Sequence, residues 1–253
     1  MDIKVAFLPT GTLSVRGDVC IVIDVIRATT AMVSLFDAGA NSVYVSASRS
    51  DFDKARAAVG PLGIICAEQD DGSSPEGFDY EPSPSVLSRL ELRDRAAMLA
   101  TANGTPAILA ANQQGASLIL AGALRNLRAV TQRAYDEAKA RGADITVICS
   151  GQLRNSRIAI EDSYCAGLMV ERLHQLSGGA VDLDDSAALA RGYAASAPDA
   201  LDVLIGSMTS QRFIAQGRRL DVEFCAIIDA SDRVPVVGED GVGDQYPVYV
   251  LDD

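Results

Sequence analysis

The chain has one histidine, His174, and that scarcity removes whole classes of chemistry. A lone imidazole cannot build a typical zinc site or a two-histidine phosphotransfer centre, and no G-x-S-x-G elbow accompanies it for a Ser-His-Asp triad. His174 lies in a run, Ala166 to Leu176, that already reads as an ordinary amphipathic helix, so packing accounts for it. Cysteine is scattered: Cys20, Cys66, Cys149, Cys165 and Cys225 include no C-x-x-C pair. They read as small buried hydrophobes in a reducing compartment, not as a disulfide framework. Neither G-x-x-x-x-G-K-[ST] nor G-x-G-x-x-G occurs, which excludes the familiar nucleotide-cradling loops. The gap from Cys149 to Arg154 is one residue short of a cysteine-phosphatase loop. No apolar run reaches membrane-spanning length and Met1 to Pro9 lacks the basic start of a secretory leader, so a cytoplasmic location is expected. Positive charge is also short: Lys plus Arg is 22 against 34 Asp plus Glu, a net −12. Such a field repels nucleic acid and anionic membranes. Any anionic ligand must therefore be held by local arginines, backbone amides or a divalent cation.

What is present is enough for a full core. With 253 residues and 48% hydrophobic content, the chain suits one large unit or two small lobes. Strands are predicted at Lys4 to Leu8, Val19 to Ile26, Ser42 to Ala47, Gly63 to Ala67, Ala96 to Ala100, Ala116 to Ala121, Asp144 to Cys149, Val222 to Ile228 and Pro247 to Leu251. Helical patterns fall at Thr29 to Ala38, Asp51 to Val59, Ser85 to Leu92, Pro106 to Gln114, Leu124 to Arg141, Glu161 to Leu176, Asp184 to Ala194 and Ser207 to Gln216. Alternation of this kind predicts a three-layer α/β/α fold with a mostly parallel or mixed sheet. The whole of 1–253 reads as one unit of two intimately packed lobes, with any lobe division near 125–180; Ser177 to Asp185 is the best compositional break. No internal repeat or low-complexity tract appears. Ser50 with Asp53 resembles a helix cap, and Asp51-Phe-Asp53 and Asp182-Leu-Asp184 read as helix-start acids, since no buried strand precedes their D-x-D spelling.

The most informative stretch is Cys20-Ile-Val-Ile-Asp-Val-Ile-Arg-Ala-Thr-Thr30. It puts an acid, a base and two hydroxyls where a strand buried on both faces turns into a helix. Asp24 falls at the carboxyl end of that strand, and Thr29 and Thr30 where first-turn N–H groups attract anions. Open α/β sheets bind ligands there. Other oxygen-bearing side chains follow other strands: Glu68, then Asp79 further along the same loop; Thr101-Ala-Asn-Gly-Thr105; Gly151, Arg154, Asn155 and Arg157; and Glu161-Asp162 opening the next helix. In a parallel sheet such loops share one edge. Carboxylates with amides and hydroxyls suit a hard cation such as Mg²⁺. Each also has a plain reading: Asp24 as a helix cap, Asn103-Gly104 as a turn dipeptide, Glu161 and Asp162 as helix-start charges, Glu68 and Asp79 as solvated acids.

The strings Val22-Ile-Asp-Val-Ile-Arg-Ala-Thr-Thr30, Glu76-Gly-Phe-Asp79 with Ser83-Pro84, Thr101-Ala-Asn-Gly-Thr105, Gly122 with Asn126, and Glu161-Asp-Ser-Tyr-Cys-Ala-Gly167 stand in the order seen in 2-phosphosulfolactate phosphatases. Arg218-Arg-Leu-Asp-Val-Glu-Phe-Cys225 also resembles that family. The resemblance implies a Mg²⁺-dependent phosphatase that converts (R)-2-phospho-3-sulfolactate to sulfolactate and phosphate, on the route to coenzyme M and related sulfonates. A small anionic phosphoester is then the partner, with neither nucleic acid nor membrane, in a monomer or a homodimer. Asp24, Glu68 and Asp79 are expected at the metal. Asp24, Arg27, Glu161 and Asp162 are expected to be catalytic, and Thr29, Thr30, Asn103, Gly104, Thr105, Asn126 and Arg154 to bind substrate, with Arg27 the best cation for the substrate's anionic groups and Arg125, Arg154 and Arg157 weaker ones. Four departures fall inside the motifs: Gln69 where the family usually has Arg, Pro82 for Asn, Ala123 for Ser and Ala159 for Ser. They leave open a phosphatase for another small phosphorylated hydroxy acid, or a noncatalytic anion-binding relative.

Overall fold

The computed structural model describes residues 1–9, 14–46, 52–70, 72–197, 199–238 and 245–250. Its first half runs β1 (Asp2–Ala6), β2 (Val19–Ile23), α1 (Ala28–Asp37), β3 (Ser42–Ser46), α2 (Phe52–Val59), β4 (Ile64–Ala67), α3 (Pro84–Leu87), β5 (Ala96–Ala100), α4 (Gly104–Gln113) and β6 (Leu118–Gly122). A 3-10 turn (Leu124–Asn126) leads to α5 (Leu127–Arg141), β7 (Ile145–Cys149), α6 (Ile160–Leu176), β8 (Asp182–Leu183), α7 (Asp185–Ser196), α8 (Ala200–Gly206), α9 (Met208–Ala215), α10 (Arg219–Cys225), β9 (Pro235–Val237) and β10 (Gln245–Val250). The Ser50 cap lies outside the described residues. None of the described helices is long and apolar enough to cross a membrane.

All five residues of β2 are buried, and their alternation builds the three layers. Val19, Ile21 and Ile23 pack with Val130 and Ala134 of α5 and Met169 and Val170 of α6. Cys20 and Val22 point the other way, into a cluster with Met32 and Leu35 of α1 and Ile108 and Ala111 of α4. A strand covered by helices on both faces has no polar position to spare, hence its unbroken apolar sequence. All five cysteines are buried and unpaired.

The sheet has ten strands in the order β4-β5-β3-β10-β9-β6-β2-β7-β1-β8. Two parallel groups, β4-β5-β3 and β6-β2-β7-β1-β8, are joined by β9 and β10, which pair antiparallel with each other and with their outer neighbours. The parallel groups therefore run in opposite senses across the seam. A single shared edge therefore does not gather the loops after β2 and β4.

Four elements differ from the sequence reading. Val222 to Ile228, predicted as a strand, begins within α10, where Val222 and Cys225 are buried three residues apart on one helical face. The rest of that predicted strand, Ala226 to Ile228, forms no strand. β8, β9 and α8 were not predicted, being two, three and seven residues long, and Asp182, expected as a helix-start acid, lies in β8 instead. Helix α6 meets α7 so closely that a Cβ on Gly167 would stand 2.1 Å from the Ala190 carbonyl oxygen. Gly167→Val is therefore expected to lower stability by about 1–3 kcal/mol or more, read as a reduced urea midpoint.

Candidate active site

β2 ends at Ile23, and the next residue, Asp24, is only 5% exposed. Its Oδ1 accepts the Ala28 N–H at 3.2 Å, and its backbone carbonyl accepts the Thr29 N–H at 3.1 Å and the Thr29 hydroxyl at 2.9 Å. The Asp24 N–H donates to Thr29 Oγ1 at 3.0 Å, and the Thr30 hydroxyl donates to the Val25 carbonyl at 2.8 Å. Helix α1 is thus capped from within, so the plain reading of Asp24 as a cap holds alongside any chemical one. Thr29 and Thr30 are fully buried with their hydroxyls turned onto this backbone, away from any cavity.

Asp162 ties two loops together. Its Oδ1 accepts the Val25 N–H at 2.9 Å and its Oδ2 the Gly151 N–H at 3.0 Å, so the turn after β2 and the turn after β7 share one carboxylate. Neighbouring Glu161 is 2% exposed, and its Oε2 has no hydrogen-bond partner among the described residues. Burial pushes the Asp24 carboxyl up to about 7, with Glu68 and then Glu161 adding to the rise against the Ala28 and Gly104 N–H groups. Burial, then Asp24 and Glu161, holds Asp162 well above the usual carboxylate range. Burial also raises Glu161, opposed by the Thr209 and Ser207 hydroxyls and the Arg212 charge. Acids that raise one another in a dry pocket are a store of uncompensated negative charge.

Arg27 is the counterweight on one side. Its side chain is fully buried, with Nη1 2.9 Å from Asp221 Oδ2 and 3.3 Å from Glu81 Oε2, and Nη2 3.3 Å from Glu68 Oε2 and 3.1 Å from the Gly72 carbonyl. The guanidinium also lies over the Phe213 ring, 4.3 Å from its centroid. Three carboxylates already share this cation, which makes it a brace between α1, the loop after β4 and α10.

Above the carboxylates opens a cavity of about 190 Å³ lined by Glu68, Gln69, Asp70, Ala102, Asn103, Leu153, Arg154 and Arg212. Glu68 is fixed on its inner wall, where Oε1 accepts the Ala102 N–H at 3.3 Å. The opposite wall is the loop after β7. Leu153, Arg154 and Asn155 have successive φ values of 51°, 56° and 59°, a left-handed run that costs about 1–2 kcal/mol per residue. Asn155 holds it: its N–H donates to Asn103 Oδ1 at 3.1 Å, and its Nδ2 to the Asn103 carbonyl at 3.0 Å and the Ser150 carbonyl at 2.7 Å. The turn presents Arg154 at the rim, with Nη2 2.6 Å from Asp70 Oδ2.

Gly104 opens α4 against Asp24. A Cβ there would stand 2.4 Å from the Ala28 Cβ and 2.9 Å from Asp24 Oδ2. Gly104→Ala must push α4 off Asp24, and kcat is expected to fall at least tenfold with only a modest drop in Tm. Unchanged kcat in a phosphate-release assay would show that this contact carries no catalytic geometry.

The expected metal trio is split. Asp24 and Glu68 are neighbours, but Asp79 Oδ2 accepts the Ile65 N–H at 2.7 Å and pairs with Arg56 Nη2 at 3.0 Å, at the start of β4. The chain after Glu68 doubles back along β4, with Tyr80 bridging Cys66, and so carries Asp79 away from the carboxyl end. Asp79→Asn is therefore expected to leave turnover within about twofold of wild type and to cost no more than about 1 kcal/mol, as for a partly exposed ion pair. A kcat loss comparable to that of an Asp24 variant would contradict this placement. Two other expected ligand residues also stay outside the cavity. Thr105 donates to the Thr101 carbonyl at 3.2 Å and accepts the Thr101 N–H at 3.0 Å. Asn126 accepts the Ala123 N–H and donates to the Ala121 and Arg233 carbonyls. Asn103 and Arg154 do line it. Of the weaker cations, Arg125 lies against Asp37 and the Phe224 ring.

Sequence reasoning missed Arg212, Asp70 and Leu153 at the cavity, and Asp221 and Phe213 around Arg27. A signal existed for Asp221, which sits inside Arg218-Arg-Leu-Asp-Val-Glu-Phe-Cys225. Arg212 had none: it reads as one more charge on an amphipathic helix. Among the described residues, no group of three or more His, Cys, Asp or Glu is arranged to enclose a metal ion. The donor chemistry nevertheless fits a hard cation. The acids are buried, they raise one another, and Glu161 Oε2 is unpartnered. Mg²⁺ in particular is usually held by one or two carboxylates, with waters and substrate oxygens completing its shell.

Clustered buried carboxylates beside an arginine- and amide-rimmed cavity, at the carboxyl ends of strands, make this an α/β enzyme site for a small anionic ligand. The family model described as 2-phosphosulpholactate phosphatase matches residues 8–240, and the chain belongs to that family of phosphoric monoester hydrolases. It is 33% identical over 247 residues to a probable 2-phosphosulfolactate phosphatase of Pseudothermotoga lettingae, covering 97% of this chain and 100% of the relative. It is 30% identical over 237 residues to one from Thermus thermophilus, covering 94% of each chain. A third, from Deinococcus radiodurans, is 31% identical over 251 residues, covering 99% of this chain and 98% of the relative. Of the four motif departures only Gln69 faces the cavity; Pro82, Ala123 and Ala159 are buried elsewhere.

Proposed function

We propose that the chain hydrolyses (R)-2-phospho-3-sulfolactate to sulfolactate and phosphate in the cavity between Glu68, Asn103 and Arg154, with Mg²⁺ as cofactor. The observation that carries the reading is the buried set of neighbouring carboxylates Asp24, Glu161 and Asp162 beside that cavity, in a chain whose relatives bear this name. Asp24 and Glu68, with the unpartnered oxygen of Glu161, would hold the cation. When bound, Mg²⁺ would neutralise phosphoryl oxygens and acidify a coordinated water.

The protein's own residues do the rest. Asp162 positions the turns after β2 and β7, so the acids and the Arg154 loop keep a fixed spacing. Asn103, tied to Asn155 through its side-chain and backbone oxygens, keeps its Nδ2 available to a phosphoryl oxygen. Glu68 supplies a carboxylate at the wall, where it can orient an attacking water. Asp24 accepts the Ala28 N–H and lies against α4, an arrangement suited to a fixed acceptor more than to a covalent nucleophile. Acid-quenched single turnovers of ³²P-labelled substrate are expected to leave the protein unlabelled; label on Asp24 would replace direct water attack with a covalent aspartyl intermediate.

A second reading has one observation in its favour. Gln69 brings a neutral amide to the cavity where the family usually supplies a cation, which suits a less charged phosphorylated hydroxy acid. Phosphate release with Mg²⁺ from phosphosulfolactate, phospholactate, phosphoglycolate and the phosphoglycerates separates the two by kcat/KM. The first reading expects phosphosulfolactate to lead, and a tenfold preference for any other ester would favour the second.

A further inference from the structure

The substrate of the proposed reaction carries three anionic groups, and the acidic floor of the cavity can take only the phosphoryl group, through a cation. The carboxylate and sulfonate need positive charge from the protein itself. Arg27 does not supply it, being fully buried among Glu68, Glu81 and Asp221 beneath the Phe213 ring. Gln69 does not supply it either. Among the described residues, the cations that line the cavity are Arg154 and Arg212, one from the left-handed turn after β7 and the other from α9.

Arg212 lines the cavity and is held there by one ring contact and one hydrogen bond. Its guanidinium lies 5.1 Å from the Phe213 ring centroid, and its Nη1 donates to the Asp70 backbone carbonyl at 3.2 Å, a neutral acceptor. The same Phe213 ring carries Arg27, so the buried brace and the exposed guanidinium share one support. A planar fork held against a ring loses little freedom on meeting a tetrahedral oxyanion. Asp70 holds Arg154 through its side chain and Arg212 through its backbone, which places both cations at one outer end of the cavity.

We propose that Arg212 is a specificity-determining residue that receives the sulfonate of the substrate, with Arg154 beside it, and that it takes the place of the cation missing at Gln69. The sulfonate is the substrate group that stays anionic at every working pH, and it lies at the end of the three-carbon skeleton away from the carboxylate. This inference rests on the phosphosulfolactate reading, and its test separates the two.

Arg212→Gln is compared with wild type on phosphosulfolactate and on phospholactate, which lacks the sulfonate, after equal Tm values have been verified. The variant is expected to lose about 10–100-fold in kcat/KM on phosphosulfolactate, mainly through KM, and to stay within twofold on phospholactate. Arg212→Lys is expected to recover part of the loss. Equal losses on both esters, or no loss on either, would overturn the proposal. If wild type releases phosphate from neither ester, the proposed reaction fails on its own, and calorimetry with sulfolactate decides the role of Arg212. Binding weakened at least tenfold in Arg212→Gln would uphold it, and binding equal in both proteins, or absent from wild type, would overturn it.

Discussion

Arg27→Met is expected to destabilise the protein by about 3–5 kcal/mol, the cost of removing one partner from a buried ion pair. The structure gives reason for the upper end. The Arg27 side chain is fully buried, and its loss removes the cation from Asp221, itself 3% exposed, and one cation each from Glu68 and from Glu81, which keeps Arg218. Asp221 keeps its Ser83 and Ser85 donors on Oδ1 but loses the only cation recorded on Oδ2 among the described residues. The stacking on Phe213 disappears as well. Arg27→Lys keeps the charge but not the fork, and one ammonium cannot span Glu68, Glu81 and Asp221 at once, so an intermediate loss is expected. Urea unfolding followed by circular dichroism measures both; a Met variant with the wild-type midpoint would show that Arg27 is no brace.

Asp24→Asn is expected to act in the opposite sense on stability while abolishing turnover. The folded protein holds the Asp24 proton up to about pH 7, whereas the unfolded chain releases it near pH 4. Between these values the unfolded state binds fewer protons, so without metal this group's contribution to stability falls as pH rises from about 4 to about 7. The full cost above pH 7 is on the order of 4 kcal/mol. Glu161 and Asp162 are raised too and tilt the curve the same way. Asparagine carries no charge and flattens the slope, although its amide donors fit the Ala28 N–H less well. Mg²⁺ competes with the proton, so its stabilisation of wild type is expected to grow from pH 5 to pH 8, reaching about 2.7 kcal/mol at a hundredfold excess over Kd. The variant should gain little at either pH, and its kcat should drop by at least about a thousandfold, as for loss of a central electrostatic group. A Tm shift with Mg²⁺ that is equal in wild type and Asp24→Asn would remove Asp24 from the cation site.

The parts of this protein legible in its sequence are those where one strong pattern had no competitor. Val19 to Ile23 is β-branched and unbroken because helices cover both faces, and that alone located Asp24 at the carboxyl end of a buried strand. Ala96 to Ala100 matched β5 at both ends. Val222 to Ile228 misled because a short apolar run satisfies strand and helix alike, and what decides it is α10 packing on α9 and α3. β9 could not be read because its three residues owe their conformation to β10, which pairs with them from more than seven residues downstream. Asp79 was assigned by proximity in the chain, and the return of its loop along β4 has no local signature. Thr29, Thr30 and Thr105 are substrate-binding residues in the sequence reading, but a sequence does not say which way a hydroxyl turns; all three satisfy backbone groups of their own turns. Arg212 is the reverse case, an ordinary helix charge given meaning by the cavity into which the fold delivers it.

Phosphate release from (R)-2-phospho-3-sulfolactate by wild type and Asp24→Asn, with and without Mg²⁺, tests most directly whether the buried acids after β2 are the reacting centre. Saturable release that requires the cation in wild type and vanishes in the folded variant is the expected result. Undiminished release by Asp24→Asn would contradict it and move the chemistry elsewhere in the molecule.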